Sequence, residues 1–335
     1  MGMRDSGGYI HTISVVIPVY RGEQTLGALV EELKPFFETF TTPQRNSARV
    51  QEVVLVCDNG PDASASVIRA LEAEFPQARG LWLTRNFGQH AATLAGMASS
   101  GGDWVVTMDE DGQHDPADIP QMLDVALADG AHIVYAAPTN RPPHSWLRSA
   151  SSRLAKKLMA TVFGKKLNPP AVYQSYRLVL GEVGRSVAAY SGSGVYLDIA
   201  LGWISNRVST APVELRKERR EASGYSYRSL AGQFWRMILS SGTRGLRLVS
   251  LLGGLFALAG VVFALVILIQ RLSGQEVPQG WTSMVTVNLI SSGVILFFLG
   301  VIAEYLGIAV NMAMGKPPYV VMSDPAKGPL GQRPE

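Results

Sequence analysis

Asp109, Asp111 and Gln113 stand two residues apart in the stretch Met-Asp-Glu-Asp-Gly-Gln-His-Asp-Pro at 108–116, directly after the apolar run 104–108. That run is short, β-branched and preceded by Gly101-Gly102, so it reads as a buried strand ending in a turn. Where the chain leaves the strand, the spacing can bring two carboxylates to one side, with Gln113 adding a neutral oxygen. An all-oxygen set of this kind suits a hard cation, Mg²⁺ or Mn²⁺, that completes its octahedron with water and substrate phosphates. The alternative is a solvated acidic turn, which is common, so the surrounding elements decide. Within the stretch Glu110 is expected to point away, and His114 with Asp115 to form the turn that starts the next helix at Pro116.

Those elements alternate. Residues 13–19 form an apolar run broken by Pro18, followed by Tyr20-Arg21-Gly22 and a helical pattern at Leu26, Leu29, Val30 and Leu33 with Thr25 at its cap. The polar stretch 39–49 closes that helix. Residues 53–57 are a second buried strand running into Asp58-Asn59-Gly60-Pro61-Asp62, then a helix at 63–75. A third strand at 81–84, a loop at 85–90, a small-residue helix at 91–99 and the acidic strand end complete the pattern. Strands alternating with helices predict βαβ units, an α/β class and a mostly parallel sheet. In such sheets ligands bind beyond the carboxyl ends of the strands, where Tyr20, Asp58, Asp62, Asn86, Asp109 and Asp111 fall. No Gly-x-Gly-x-x-Gly follows the first strand and no Gly-x-x-x-x-Gly-Lys-Ser/Thr occurs, so a nucleotide bound here would need the metal to hold its phosphates.

Composition narrows the class. The 335 residues carry a net charge of +3 with a pI of about 8.9, and mean hydropathy is positive, at +0.13. The basic residues are dispersed except at 216–220, unlike a nucleic-acid footprint. Cys57 is the single cysteine and lies in an apolar run, so it reads as a core residue and excludes a disulfide framework within one chain. No apolar segment precedes the first strand, so the front of the chain is expected to stay in the cytoplasm. Met1-Gly2 with Ser6 fits the short N-myristoylation pattern, to which little weight attaches.

Four blocks, Ser-Val-Val-Ile-Pro-Val-Tyr at 14–20, Val-Cys-Asp-Asn-Gly-Pro-Asp at 56–62, Leu-Thr-Arg-Asn-Phe-Gly-Gln-His-Ala at 83–91 and the acidic stretch at 108–116, together resemble glycosyltransferase family 2. The resemblance is nearest to its polyprenyl-phosphate glycosyltransferases, which include dolichyl-phosphate mannose synthase, GtrB-type glucosyltransferases and undecaprenyl-phosphate aminoarabinose transferase. It extends over nearly the whole chain. It implies a GT-A fold in which Pro18, Tyr20 and Asp58 cradle the nucleobase and ribose. Asp62 and Asn86 join them on the donor, a UDP- or GDP-sugar, and Asp109, Asp111 and Gln113 hold the divalent metal on its diphosphate. Two departures stand out: Tyr20-Arg21-Gly22 replaces the common Tyr-Asn-Glu, with Glu23 one position on, and Asn59-Gly60 replaces a small pair.

Residues 133–137 read as a further strand and 146–163 as a basic helical stretch. Arg148 and Ser152 lie one turn apart on one face of it, and similar residues in relatives meet a lipid phosphate. Arg177, in Tyr-Gln-Ser-Tyr-Arg-Leu at 173–178, is assigned to the same acceptor phosphate. An arginine common after the preceding strand is missing at Pro138, with Arg141 nearby. The 173–178 block holds no carboxylate. A hydroxyl acceptor needs a general base, whereas a phosphate monoester, with a second pKa near 6, is already nucleophilic at neutral pH; a phosphate acceptor is favoured. The basic run 216–220 with Gly-Tyr-Ser-Tyr at 224–227 resembles a loop that closes near the membrane.

The C-terminal third is apolar. Residues 229–246 mix aromatic and basic side chains as an interfacial helix does. The segment 248–270 is uncharged over 23 residues and 277–303 over 27, each enough to cross a hydrocarbon core of about 30 Å. Two spanning helices are expected, and the flanking Arg236, Arg244, Arg247 and Lys316 put both termini in the cytoplasm. Glu304 is placed at the end of the second span. The expected division is a cytoplasmic GT-A domain at 1–226, interfacial helices at 227–247, two transmembrane helices at 248–310 and a tail at 311–335. The resemblance also implies a homo-oligomer built through the membrane helices.

The expectation is an inverting, metal-dependent transferase moving one sugar from a nucleotide sugar to polyprenyl phosphate. The alternatives are a transferase acting on another lipid or a polysaccharide, and a silent nucleotide-sugar-binding anchor. Processive synthases carry Gln-x-x-Arg-Trp, whereas Gln233-Phe-Trp-Arg236 has the wrong order.

Overall fold

β1 (Ile10–Val19) is the axis of the sheet. Ile13, Val15, Ile17 and Val19 enter one hydrophobic cluster and Val16 the other, the alternation of a strand covered on both faces. The computed structural model describes residues 9–140, 174–192, 196–216 and 280–327, with a few isolated positions between 258 and 273. Contacts divide the chain into two units, 1–227 with 317–335, and 228–316.

In the first unit α1 (Leu26–Leu33), β2 (Phe40–Thr41), β3 (Ser47–Cys57), α2 (Ser64–Glu74), β4 (Ala78–Leu83), α3 (Gln89–Ser99) and β5 (Trp104–Thr107) follow β1. Then come α4 (Ile119–Asp129), β6 (Ile133–Pro138), β7 (Arg177–Leu180), α5 (Gly181–Tyr190), α6 (Leu197–Ile204), β8 (Val208–Val213) and, near the C-terminus, β9 (Val321–Met322). The sheet order is β8-β6-β7-β5-β1-β3-β4-β9, with β2 on β3. Leu29 of α1, Ile68 of α2 and Met122 of α4 pack on one face of the sheet; Ala95 of α3, Val187 of α5 and Leu201 of α6 pack on the other. The α/β expectation holds, with a sheet more mixed than expected. The core β5-β1-β3-β4 is parallel, as βαβ units require, but β7 is antiparallel to both β5 and β6.

The stretch read as a closing loop contains β2 and the first residues of β3. Ala48 and Val50 are buried between more polar neighbours, a half-buried alternation that breaks at the register shift opposite Ile13/Ser14. Thr25 occupies the N-cap of α1 but makes no side-chain cap bond.

The largest difference is at the C-terminus, where the expected tail rejoins the sheet. Val321 and Met322 pair with Leu83 and Trp82, and the Thr84 N–H donates to Val320 O at 3.1 Å. Arg69 lies over the Trp82 ring at 4.7 Å and grips Asp324 through Nε and Nη2 at 2.7 to 3.1 Å. This covers the sheet edge that β4 would otherwise expose.

In the second unit α7 (Trp281–Ala313) runs for 33 residues, about 50 Å at 1.5 Å per residue. Among the described residues it is the one helix long and apolar enough to cross a membrane, over Ile290–Ala313 with a mean hydropathy of 2.3. It continues ten residues past the uncharged segment 277–303 and three past the expected boundary at 310, so Glu304 lies inside the helix and not at its end. The expected first span and interfacial helix fall outside the described residues.

If the Arg69–Asp324 clamp holds β9 on the sheet, Asp324→Ala will speed hydrogen exchange of the 78–84 amides in the full chain while exchange in β1 and β3 stays unchanged. Unaltered exchange at Thr84 would show that the strand is held by other contacts.

Candidate active site

β1 and β5 part at one end of the sheet. Their pairing ends at Val16 and Thr107, followed by one last bond from the Met108 N–H to Val16 O at 3.1 Å. β1 continues to Val19 beside β3 alone, with Pro18 opposite Val56. The chain moves from β1 toward β3 and β4 and later crosses back to β5, so the gap is a topological switch point. The acidic stretch and Tyr20 both leave the sheet here.

The acidic loop is closed by its own side chains. The Asp109 N–H donates to His114 Nδ1 at 3.0 Å, and the Gln113 N–H donates to Asp111 Oδ1 at 2.9 Å. Gly112 supplies the φ of 76° this turn needs. Asp115 caps the short helix Pro116–Asp118 by accepting the Ala117 N–H. His114 is 4% exposed and stacks on Tyr176 with centroids 4.8 Å apart; its Nε2 lies 3.9 Å from Asp109. His114 therefore sits in the turn before Pro116, as expected, and also supports Asp109.

Asp109 is half-buried. Its Oδ1 accepts from the Gln89 amide and its Oδ2 from the Ser175 hydroxyl, both at 2.5 Å. These donors are neutral, so they orient the carboxylate without cancelling its charge. Among the described residues no three His, Cys, Asp or Glu side chains gather as a metal cage. A cation at this loop would have to take one or two carboxylates and draw its other oxygens from substrate phosphates, which is the habit of Mg²⁺.

The neighbouring acids hold loops. Glu110 turns to the β1 loop: it accepts the N–H groups of Tyr20 at 3.0 Å and Arg21 at 2.9 Å, tying that loop to the acidic loop. Asp58, 3% exposed, accepts the N–H groups of Phe87 at 2.7 Å and Gly88 at 2.8 Å. Burial pushes its carboxyl pKa up, and these two donors pull it partly back. Asp62 accepts from the Ser64 N–H and hydroxyl and from the Glu23 N–H, while Glu23 accepts the Ala63 N–H. A Cβ on Gly60 would lie 1.6 Å from Tyr20 O, so the two loops can meet only through glycine. Tyr20 is 38% exposed, Asn86 is exposed and Pro18 is half-buried; all three sit at the strand ends, as expected.

Arg177 departs from its expected role. Its guanidinium is 3% exposed and paired with Asp198, also 3% exposed, whose Oδ1 accepts from the Tyr135 hydroxyl at 3.0 Å. A buried arginine already matched by a carboxylate does not present itself to an acceptor phosphate. It instead anchors the segment carrying Ser175, whose carbonyl accepts the Thr107 hydroxyl at 2.5 Å. Arg148 and Ser152 lie outside the described residues. Ser175, 66 residues from Asp109, has no local signal beyond its block; Gln89 lies within a block that gives no direction for its side chain.

The model of Glycosyl transferase family 2 matches residues 14–182, half of the chain and all four blocks. The chain belongs to glycosyl transferase family 2. Two relatives align along almost its entire length, both undecaprenyl-phosphate 4-deoxy-4-formamido-L-arabinose transferases. That of Sodalis glossinidius is 29% identical over 331 residues, 97% of this chain and 98% of its own. That of Pseudomonas paraeruginosa is 31% identical over 316 residues, 93% and 90% respectively. A more distant likeness is to glucosyl-3-phosphoglycerate synthase from Mycobacterium tuberculosis, crystallised with Mn²⁺, UDP-glucose and phosphoglyceric acid. It has a TM-score of 0.49 at 18% identity and covers 70% of this chain and 80% of that one. This glycosyltransferase carries its acidic loop on a mixed α/β sheet, at the crevice beyond the strand ends.

At the back of the loop, burial and repulsion from Asp115 and Glu214, against attraction to Arg216, push the Asp118 carboxyl up to about 6. The folded state of this glycosyltransferase then holds a proton that the unfolded chain releases near pH 4, so the Asp118 contribution to stability falls as pH rises from about 4 to about 6. Asp118→Asn is expected to raise the melting temperature at pH 7.5 and to lose that advantage near pH 4. A pH-independent difference would contradict the raised value.

Proposed function

We propose that this chain is an inverting, metal-dependent glycosyltransferase that moves a single sugar from a nucleotide diphosphate sugar to polyprenyl phosphate at the cytoplasmic face of a membrane. The observation that carries the reading is the alignment along 97% of the chain, apolar C-terminal third included, with a transferase named for undecaprenyl phosphate. Support comes from the acidic loop, whose charge is oriented by neutral donors, and from Ile290–Ala313, whose Ile295, Leu296 and Leu306 are exposed and suit lipid better than water.

Asp109, Asp111 and Gln113 are assigned to the divalent cation, Mg²⁺ or Mn²⁺. When bound, it supplies positive charge against the leaving diphosphate. Pro18, Tyr20 and Asn86 are assigned to the nucleoside end of the donor; Asp58 and Asp62 act there through the loops they hold. A phosphate oxygen of the lipid attacks C1 of the sugar. The C1–O bond to the diphosphate breaks, and its electron pair leaves with the nucleoside diphosphate. No general base is required, because the acceptor is already an anion at neutral pH; positioning and electrostatics carry the step. Arg148 and Ser152 are assigned to the acceptor phosphate, and Arg177 is not. The catalytic unit and both termini are placed on the cytoplasmic side, with a second span at 248–270.

The test is transfer from a radiolabelled donor panel to undecaprenyl phosphate in detergent or vesicles. Wild type should yield a lipid-linked monosaccharide and Asp111→Asn should lose at least about 100-fold in turnover while still inserting into membranes. Retained turnover in the variant would remove the metal assignment. Absence of lipid-linked product with every donor would favour a silent anchor.

A further inference from the structure

The loop bearing the proposed cation ligands is tied to β1 through Glu110 and to the β7 segment through Ser175 and the Tyr176 hydroxyl, which donates to Asp115 O at 2.6 Å. Among the described residues, Arg216 holds its remaining side. The Arg216 N–H donates to Gln113 O at 2.9 Å. The Arg216 guanidinium reaches Asp115 through Nη2 at 2.5 Å and Glu32 of α1 through Nη1 at 2.6 Å. Arg216 is itself well placed to act as a fixed point. Asn140, leaving β6, exchanges two hydrogen bonds with the preceding Leu215, at 2.7 and 3.1 Å, and the Thr139 N–H donates to Val213 O.

We propose that Arg216 is a positioning residue for the donor–cation site, holding the Gln113–Asp115 half of the acidic loop at the distance from Asp109 that a shared cation requires. The inference rests on the cation reading given above. Three properties favour it. Arg216 touches Gln113 through the backbone and Asp115 through the side chain, so it fixes the loop at two successive points. Its charge is balanced by two carboxylates, so it does not repel a divalent cation in the way an unpaired arginine would. Its bonds are charge-assisted and partly shielded, with 35% of the side chain exposed. Groups that orient metal ligands from behind typically change metal affinity about 10- to 100-fold when removed. Lysine would supply one point charge in place of a fork, and could meet Glu32 or Asp115 but not both.

The experiment is a Mn²⁺ titration of the full-length purified protein with saturating UDP and, in a second series, GDP, read by loss of the free Mn²⁺ paramagnetic signal. Wild type, Arg216→Met, Arg216→Lys, Glu32→Gln and Asp111→Asn are compared, with melting temperature and amide exchange of β1 and β5 measured on each. Arg216→Met should bind Mn²⁺ at least about 10-fold more weakly with β1 and β5 exchange unchanged, Arg216→Lys should recover part of the loss, and Glu32→Gln should show a smaller loss. In transfer assays the apparent KM for metal should rise more than kcat falls. Wild-type Mn²⁺ affinity in Arg216→Met, alongside lost affinity in Asp111→Asn, would overturn the role of Arg216 and leave the cation site standing. Wild-type affinity in Asp111→Asn would remove the cation site and this inference with it. A loss in Arg216→Met accompanied by faster β1 and β5 exchange, with no recovery in Arg216→Lys and no effect of Glu32→Gln, would overturn the inference in favour of a general folding defect.

Discussion

Two parallel strands that separate at Val16 and Thr107 create the opening on which the site depends. Main-chain groups of alternate residues in β1 point toward β5 or toward β3. Val16 makes the last bond on the β5 side, so the next group on that side belongs to Pro18. Proline has no N–H to leave unpaired, and so can occupy a central strand where its neighbour has departed. The loss of the ladder and the presence of Pro18 are thus one event, and the space it opens is where Tyr20 and the acidic loop emerge.

Around that opening the carboxylates divide their work by what they face. Asp58 and Glu110 accept N–H groups from loops that have left regular structure, and Asp62 and Asp115 accept them from the first turn of a helix. Backbone donors outside a ladder need partners, and here acidic side chains provide them. Asp109 differs in receiving only side-chain donors that carry no charge. The scaffold acids make the site rigid, and the loop they define leaves negative charge where a cation and a diphosphate could use it. The buried Arg177–Asp198 pair serves the same rigidity from behind, by fixing the segment from which Ser175 reaches Asp109.

The C-terminal strand extends this economy to the far edge of the sheet. β4 leads directly into the 85–88 loop that Asp58 holds, and its outer edge is covered by residues more than 230 positions away in sequence. A chain segment following a long apolar helix is therefore part of the fold of the first unit.

The order of strands and helices, the apolar C-terminal third and the acidic stretch after β5 were all legible in the sequence, because they depend on local periodicity and on residue types that have few other uses at a buried strand end. Even there, half-buried elements such as β2 and the first residues of β3 escaped, since their alternation is short and mostly polar. Side-chain direction was not legible. Which group Glu110 would meet, whether Arg177 faced a phosphate or Asp198, and whether residues 317–327 formed a tail or a strand all turned on partners distant in the chain. Composition and spacing could nominate the charged groups of this protein, but only tertiary packing, by setting which of them are desolvated and which donors lie within about 3 Å, decided which build the site and which remain to act in it.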